Sequence, residues 1–204
     1  MEEFKMKYIN QLEYADISYI TRTDMEEEAD REAGKKTTVR SSGCGLCSSI
    51  MVLDRLLRDS DFELEDAIQL SYDVNANYRR GTSYKRYAPA FAEKFGLKLE
   101  MTNDPERLRY CLQTGGAAVI HIGGDYEGHV GVFSHGGHYV AAISQEPDGR
   151  IAILDPSYKV GKYEEEGRKG KVEVKNDVIC ICEMKVITED FANRDPGMYL
   201  FWRK

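Results

Sequence analysis

Between Gly45 and Leu57 the apolar side chains fall at Leu46, Ile50, Leu53 and Leu57, a spacing that gathers them on one helical face. Leu64, Ala67, Ile68 and Leu70 start a second helical pattern, predicted over Leu64 to Tyr78. Tyr84 to Phe95 is a third, closed by Gly96 as a C-terminal stop. Asp104 followed by Pro105 and Glu106 opens a fourth, with a capping side chain and a proline in the first turn. After Gly116 the period shortens. Ala117 to Ile122 reads as a buried strand, and "HYVAAI" and "IAILDP" as two strands joined by a turn at "EPDGR". Asp177 to Cys182 alternates as another strand, and Met198 to Trp202 as a last one. Residues 1–40 are polar and read as loop with short strand. Helices first and antiparallel strands afterwards predict an α+β class. No stretch has the character of a linker, so one domain is expected over residues 1–204.

The length of 204 residues suits one good hydrophobic core, and 42% hydrophobic with 31% charged residues is ordinary for a globular chain. A net charge of -7 removes the electrostatic case for nucleic acid or an anionic membrane surface. The acid concentrates in Met25–Glu28 and Glu164–Glu166, which read as solvated faces. No window approaches the roughly 18 apolar residues of a membrane span. The N-terminus lacks a basic start followed by an apolar stretch. The expectation is a cytoplasmic protein if the chain is complete, and a secreted or cell-surface one if an export signal has been removed. Five cysteines, with Cys180 and Cys182 next-but-one neighbours, make a poor disulfide framework and favour reduced thiols.

The chemistry concentrates at "SSGCGLCSSIMVL", where Cys44 stands between two glycines at a predicted helix start. Three chemistries use a cysteine so placed. In the first Cys44 is a nucleophile: the positive end of a helix and a nearby imidazolium both favour the thiolate. The flanking glycines would let a substrate carbonyl approach the backbone, and free amides of the first turn would serve an oxyanion. In the second, Cys44 and Cys47 join His135 and His138 around zinc; but Cys47 should pack in the core, and "SHGGHY" is not helical. In the third, Cys44 and Cys47 form a redox pair, which wants a βαβ setting that is missing here.

Of the four histidines, His138 begins a strand after Gly136-Gly137, where a cleft can open. His121 lies in an apolar run and reads as a core histidine; His129 and His135 lie in a glycine-rich loop and read as exposed. Asp155 ends the strand Ile151–Leu154. Across a turn centred near residues 147–148, His138 falls opposite residues 157–158, and a small bulge or longer loop brings Asp155 nearer. The carboxylate could then accept the second imidazole N–H. Before Pro156 it could equally be a turn aspartate.

Taken in chain order, Cys44, His138 and Asp155 resemble a known family. The segments "TTVRSSGCGLCSSIMVL", "GTSYKRYAPAFAEKFGL", "GGHYVAAISQEPDGRIAILDPSYK" and "YINQLEYADISY" are similar to stand-alone relatives of the bacteriocin-processing, double-glycine-leader peptidases. These are family thirty-nine (C39) of the cysteine peptidases, a papain-like branch. The resemblance implies a papain-like fold with an N-terminal helical part packed on a C-terminal antiparallel sheet. It implies Cys44 as nucleophile, His138 as general base and Asp155 as the orienting acid. It also implies a glutamine as oxyanion donor; none lies just before Cys44, and Gln11 is the match, with a polar insert over residues 22–36 looped out between them. The pattern departs at Leu46 and Cys47, where relatives carry proline and a small hydroxyl residue. The long loop before His138 could serve as a lid. The implied activity is hydrolysis of a peptide bond in a peptide or protein substrate, with no metal or organic cofactor. A catalytically silent peptide-binding module, or an acyl transferase or amidase acting on a non-peptide substrate, stands as the alternative. Tyr78, Tyr84 and Tyr87 are candidates to line a groove or to pack.

Overall fold

The computed structural model describes residues 6–21, 37–58, 60–78 and 81–204. The insert expected over 22–36, with its acidic run at 25–28, lies outside the described residues. A 3-10 turn at Gln11–Glu13 precedes helices α1 (Val39–Ser42) and α2 (Cys44–Leu57). The two helices meet at Gly43, where a Cβ would stand 2.6 Å from Val39 Cγ1, so only glycine fits. The α2 helix is apolar nearly all round, burying Leu46, Cys47, Ile50, Met51, Leu53 and Leu56, as a helix enclosed by protein should be.

Helix α3 (Leu64–Asp73) stops short of the predicted Tyr78. Asn75 turns left-handed at φ 53, a conformation asparagine tolerates, and the chain then forms the hairpin β1 (Asn77–Tyr78) and β2 (Gly81–Thr82). Helix α4 (Tyr84–Lys94) starts and stops as expected, and α5 (Pro105–Gln113) starts where expected. Asp104 Oδ1 accepts from Glu106 N at 2.9 Å, and Gly96 takes φ 61 beyond the end of α4.

The large sheet has seven strands: β3 (Leu97–Thr102), β4 (Ala117–Ile122), β5 (His138–Gln145), β6 (Ile151–Leu154), β7 (Val172–Lys175), β8 (Ile179–Cys182) and β9 (Met198–Arg203). Their order is β3-β9-β4-β5-β6-β8-β7, and every neighbouring pair is antiparallel. Strand alternation sends successive side chains to opposite faces. Val119, Ala141, Leu154, Ile181 and Phe201 join the core under α2 and α4. Ile120, Val140, Ile153, Cys180 and Leu200 join a second core with Leu108 of α5 and with Ile187 of α6 (Met184–Asp190). Helices therefore cover both faces, which explains why the central strands read as continuous apolar runs.

Strands β3 and β7 and helix α6 are not among the predicted elements. β3 (LKLEMT) and β7 (VEVK) are the edge strands, half exposed and rich in charge, as edges tend to be. All five cysteines are free thiols. No described helix is long and apolar enough to cross a membrane.

Candidate active site

The N-terminus of α2 is pinned against the start of β5. Ser48 Oγ donates to Tyr139 O at 3.2 Å, and seven residues on Arg55 Nε donates to Ile143 O at 2.9 Å. Gly45 makes the close approach possible: a Cβ there would lie 3.2 Å from Thr82 Cβ and 3.3 Å from Tyr139 Cδ2. The glycines around Cys44 thus serve packing inside the chain, a role that the expected substrate access does not require. Cys44 is the first residue of α2 and is half-buried, whereas Cys47, one turn on, is fully enclosed. A thiol at that end of a 14-residue helix feels the unpaired N–H groups of the first turn.

His138 is the first residue of β5 and Asp155 follows β6. Between these strands the register shifts by one residue at Ala142/Ser144, a bulge of the kind the hairpin count calls for. Asp155 then folds back through a turn in which its Oδ1 accepts from Ser157 N at 2.9 Å. The same oxygen accepts from His138 Nε2 at 2.8 Å. One carboxylate oxygen therefore makes both the turn bond and the bond to the imidazole. The carboxylate is wholly buried and saturated: Ser157 Oγ also donates to Oδ1, while Lys162 Nζ and Tyr163 Oη, the latter at 2.6 Å, donate to Oδ2. Tyr8 Oη donates to the Asp155 carbonyl at 2.8 Å, tying the N-terminal segment to this corner.

Burial alone would raise the Asp155 carboxyl; its bond from His138 and the Lys162 ammonium reverse this and hold it far below the usual carboxylate range. Being ionised it only accepts, so Nε2 of His138 carries a proton and Nδ1 is left for Cys44. Burial pushes the imidazole down, but the bonds to Asp155 and Cys44 prevail and raise it to about 8. Burial pushes the Cys44 thiol up, but hydrogen bonding and charge from His138, with backbone groups of Tyr139 and Gly45, bring it below its ordinary value. Both shifts favour a thiolate facing an imidazolium. Cys111 and Cys180 are by contrast pushed up to about 12 by burial, and Cys47 and Cys182 further still.

Cys44 and His138 open on a cleft of about 770 Å³ that also takes in Gln11, Tyr78, Tyr84, His121, Arg194 and Asp195. Gln11 is buried; its N–H donates to Pro156 O at 2.7 Å, and its Nε2 donates to Arg40 O at 2.8 Å. Tyr84 and Tyr87 are enclosed, so these candidates pack, with Tyr78 and Tyr84 showing an edge to the cleft.

Two histidines differ from expectation. His121 is only half-buried: it stacks on Tyr139 with centroids 4.4 Å apart and faces the cleft, where burial and the Arg194 charge lower it to about 3. The His129 ring is not exposed, because its Nε2 bonds Asp190 Oδ1 at 2.8 Å. Asp190 is fully buried and also accepts from the N–H groups of Val132 and Phe133. Together with Arg168, which donates to Gly131 O at 2.8 Å, it anchors the loop expected as a lid. His135 is exposed and pairs with Asp125 and Glu165. Among the described residues no group of three or more His, Cys, Asp or Glu side chains is arranged to hold a metal.

Ser157, Lys162 and Tyr163 belong to the site and were not anticipated. Ser157 follows the Asp-Pro pair closely enough to be suspected; nothing in "YKVGKY" singles out the other two.

No protein-family model matches the sequence. No curated protein matches it either. Among solved structures, the chain is similar to a crystal structure provisionally described as a C39-like peptidase from Bacillus anthracis. The TM-score is 0.56 at 11% identity, over 98% of this chain and 96% of that one. With its helices and antiparallel sheet superposed over nearly the whole length, the chain has the fold of a C39-like peptidase.

Proposed function

We propose that the protein is a cysteine hydrolase that cuts a peptide bond through a thioester, working as one domain over residues 1–204. The single observation carrying this reading is a half-buried thiol at a helix N-terminus, paired with an imidazole whose far nitrogen lies on a buried, ionised carboxylate.

The Cys44 thiolate adds to the substrate carbonyl carbon and the carbonyl oxygen takes the negative charge. The backbone N–H of Cys44, at the first position of its helix, is one donor for that oxyanion. Gln11 is the other: one N–H of its Nε2 is used on Arg40 O and the second is left for the substrate. As the intermediate collapses the C–N bond breaks, and the amine leaves with the proton from His138 Nδ1. Water then adds to the thioester, giving its proton to Nδ1, and the C–S bond breaks to release the acid and restore the thiolate. Asp155 keeps the ring oriented throughout and keeps the Nε2 proton in place. The peptide-cleaving character of the solved neighbour's provisional description supports the substrate class.

Labelling with a thiol-directed acylating probe at pH 6, where an unactivated thiol is nearly inert, tests the reading. Wild type and Cys47→Ala should label and Cys44→Ala should not. Equal labelling of the two variants, or an inert wild-type thiol, removes the hydrolase and leaves the peptide-binding alternative.

A further inference from the structure

His138 stands between two anions, the Cys44 thiolate on one side and the Asp155 carboxylate on the other. Unopposed, the pair would lock the imidazole in its charged form, yet a hydrolytic cycle needs it to give a proton and take one back. A cation at the far side of Asp155 would balance one of the two. Lys162 occupies that place. Its Nζ donates to Asp155 Oδ2 and, at 2.7 Å, to Ser157 Oγ. Ser157 Oγ itself lies 3.1 Å from His138 Nε2 and 3.1 Å from Asp155 Oδ1. Lys162 is 6% exposed, an unusual burial for an ammonium, and it belongs to the 3-10 turn Lys162–Glu164.

From this geometry we infer that Lys162 is a positioning residue that holds Asp155 in line with the ring and offsets its charge, so that His138 can exchange its proton near neutral pH. The inference rests on the proposed hydrolase and adds a fourth charged member behind Cys44, His138 and Asp155. The titratable groups packed around the carboxylate are His138 from β5, Lys162 and Tyr163 from the 3-10 turn, Tyr8 from the N-terminal segment and Cys180 from β8. Burial, then Asp155 and Cys180, raise Tyr163 well above its ordinary range; burial, then Asp155, raise Tyr8 as well. Burial likewise lifts Cys180. All three stay neutral across the working range, and Lys162 supplies the cationic charge.

The experiment follows the His138 ring by NMR through a pH titration of the full chain, in wild type, Lys162→Met, Lys162→Gln and Lys162→Arg. Removing the ammonium should move the His138 midpoint upward by about one pH unit, while arginine should leave it near the wild-type value. The initial rate of amide hydrolysis should move its alkaline limb in the same direction. A midpoint unchanged in both neutral variants overturns the inference, as does unfolding of both while Lys162→Arg folds, since Lys162 would then be structural alone. The ring titration does not depend on turnover. An inert Cys44 with a shifted midpoint therefore sinks the hydrolase and spares the charge balance, and a reactive Cys44 with an unshifted midpoint does the reverse.

Discussion

A His138 ring that keeps its proton to about pH 8 in the folded chain, against roughly 6.5 when unfolded, makes stability depend on pH. The folded state binds this proton more tightly. The stabilisation from this ring is therefore fully present below about pH 6.5 and is lost as pH rises through about 8, while the lowered Cys44 thiol works the other way, its contribution present above about pH 8.5 and lost as pH falls. Asp155 also works in the opposite sense to the ring: its contribution is present above about pH 4 and is lost as acid approaches the depressed folded value. Urea unfolding at pH 6 and pH 3 should give the lower midpoint at pH 3, and Asp155→Asn should reduce that difference. An equal difference in the variant would assign the pH dependence to another group.

The contact between α2 and β5 sets the geometry of the thiol and the ring, because neither element carries both. Gly45 is a point of close approach, where Thr82 of β2 and Tyr139 of β5 are both buried and have little room to give. Gly45→Ala should destabilise the fold by about 1–3 kcal/mol and slow labelling of Cys44 at pH 6 in the protein that remains folded. Thermal unfolding and labelling rate, measured on one preparation, check both halves. A normal labelling rate would show that the helix end need not sit so close. At this scale α2 and the β5–β6 hairpin were legible in the sequence, since a helical face and two apolar strands around "EPDGR" are local patterns. The end of α3 was not, because a left-handed Asn75 breaks a pattern that apolar spacing continues.

Two apolar layers share the strands of one sheet, so loosening either should loosen the other. Ile50 lies in the layer under α2 and Leu200 in the layer under α5 and α6. Ile50→Ala and Leu200→Ala should each cost about 2–5 kcal/mol, and each should shift one common urea transition followed by fluorescence and by circular dichroism. Separate transitions would divide the chain into two folding units and overturn the single domain over residues 1–204. The second layer was the less legible one. Cys180 and Cys182 alternate plainly, but the edge strand β7, whose Val172 and Val174 pack against this layer, carries the charge that keeps edges from pairing and so lacks an apolar signature.

The sequence by itself determined the helix start at Cys44, the strand start at His138 and the aspartate after the hairpin, because each is written in neighbouring residues through caps, periodicity and turn chemistry. It also carried the resemblance from which the fold was expected. Only the tertiary structure decided that Lys162 and Tyr163 close on Asp155, that Asp190 holds the loop before His138, and that His121 faces the cleft. These are meetings between side chains with no periodic relation along the chain. Burial decides them: a charge taken out of water must find its partner wherever the packing brings one, and no local pattern records where that will be.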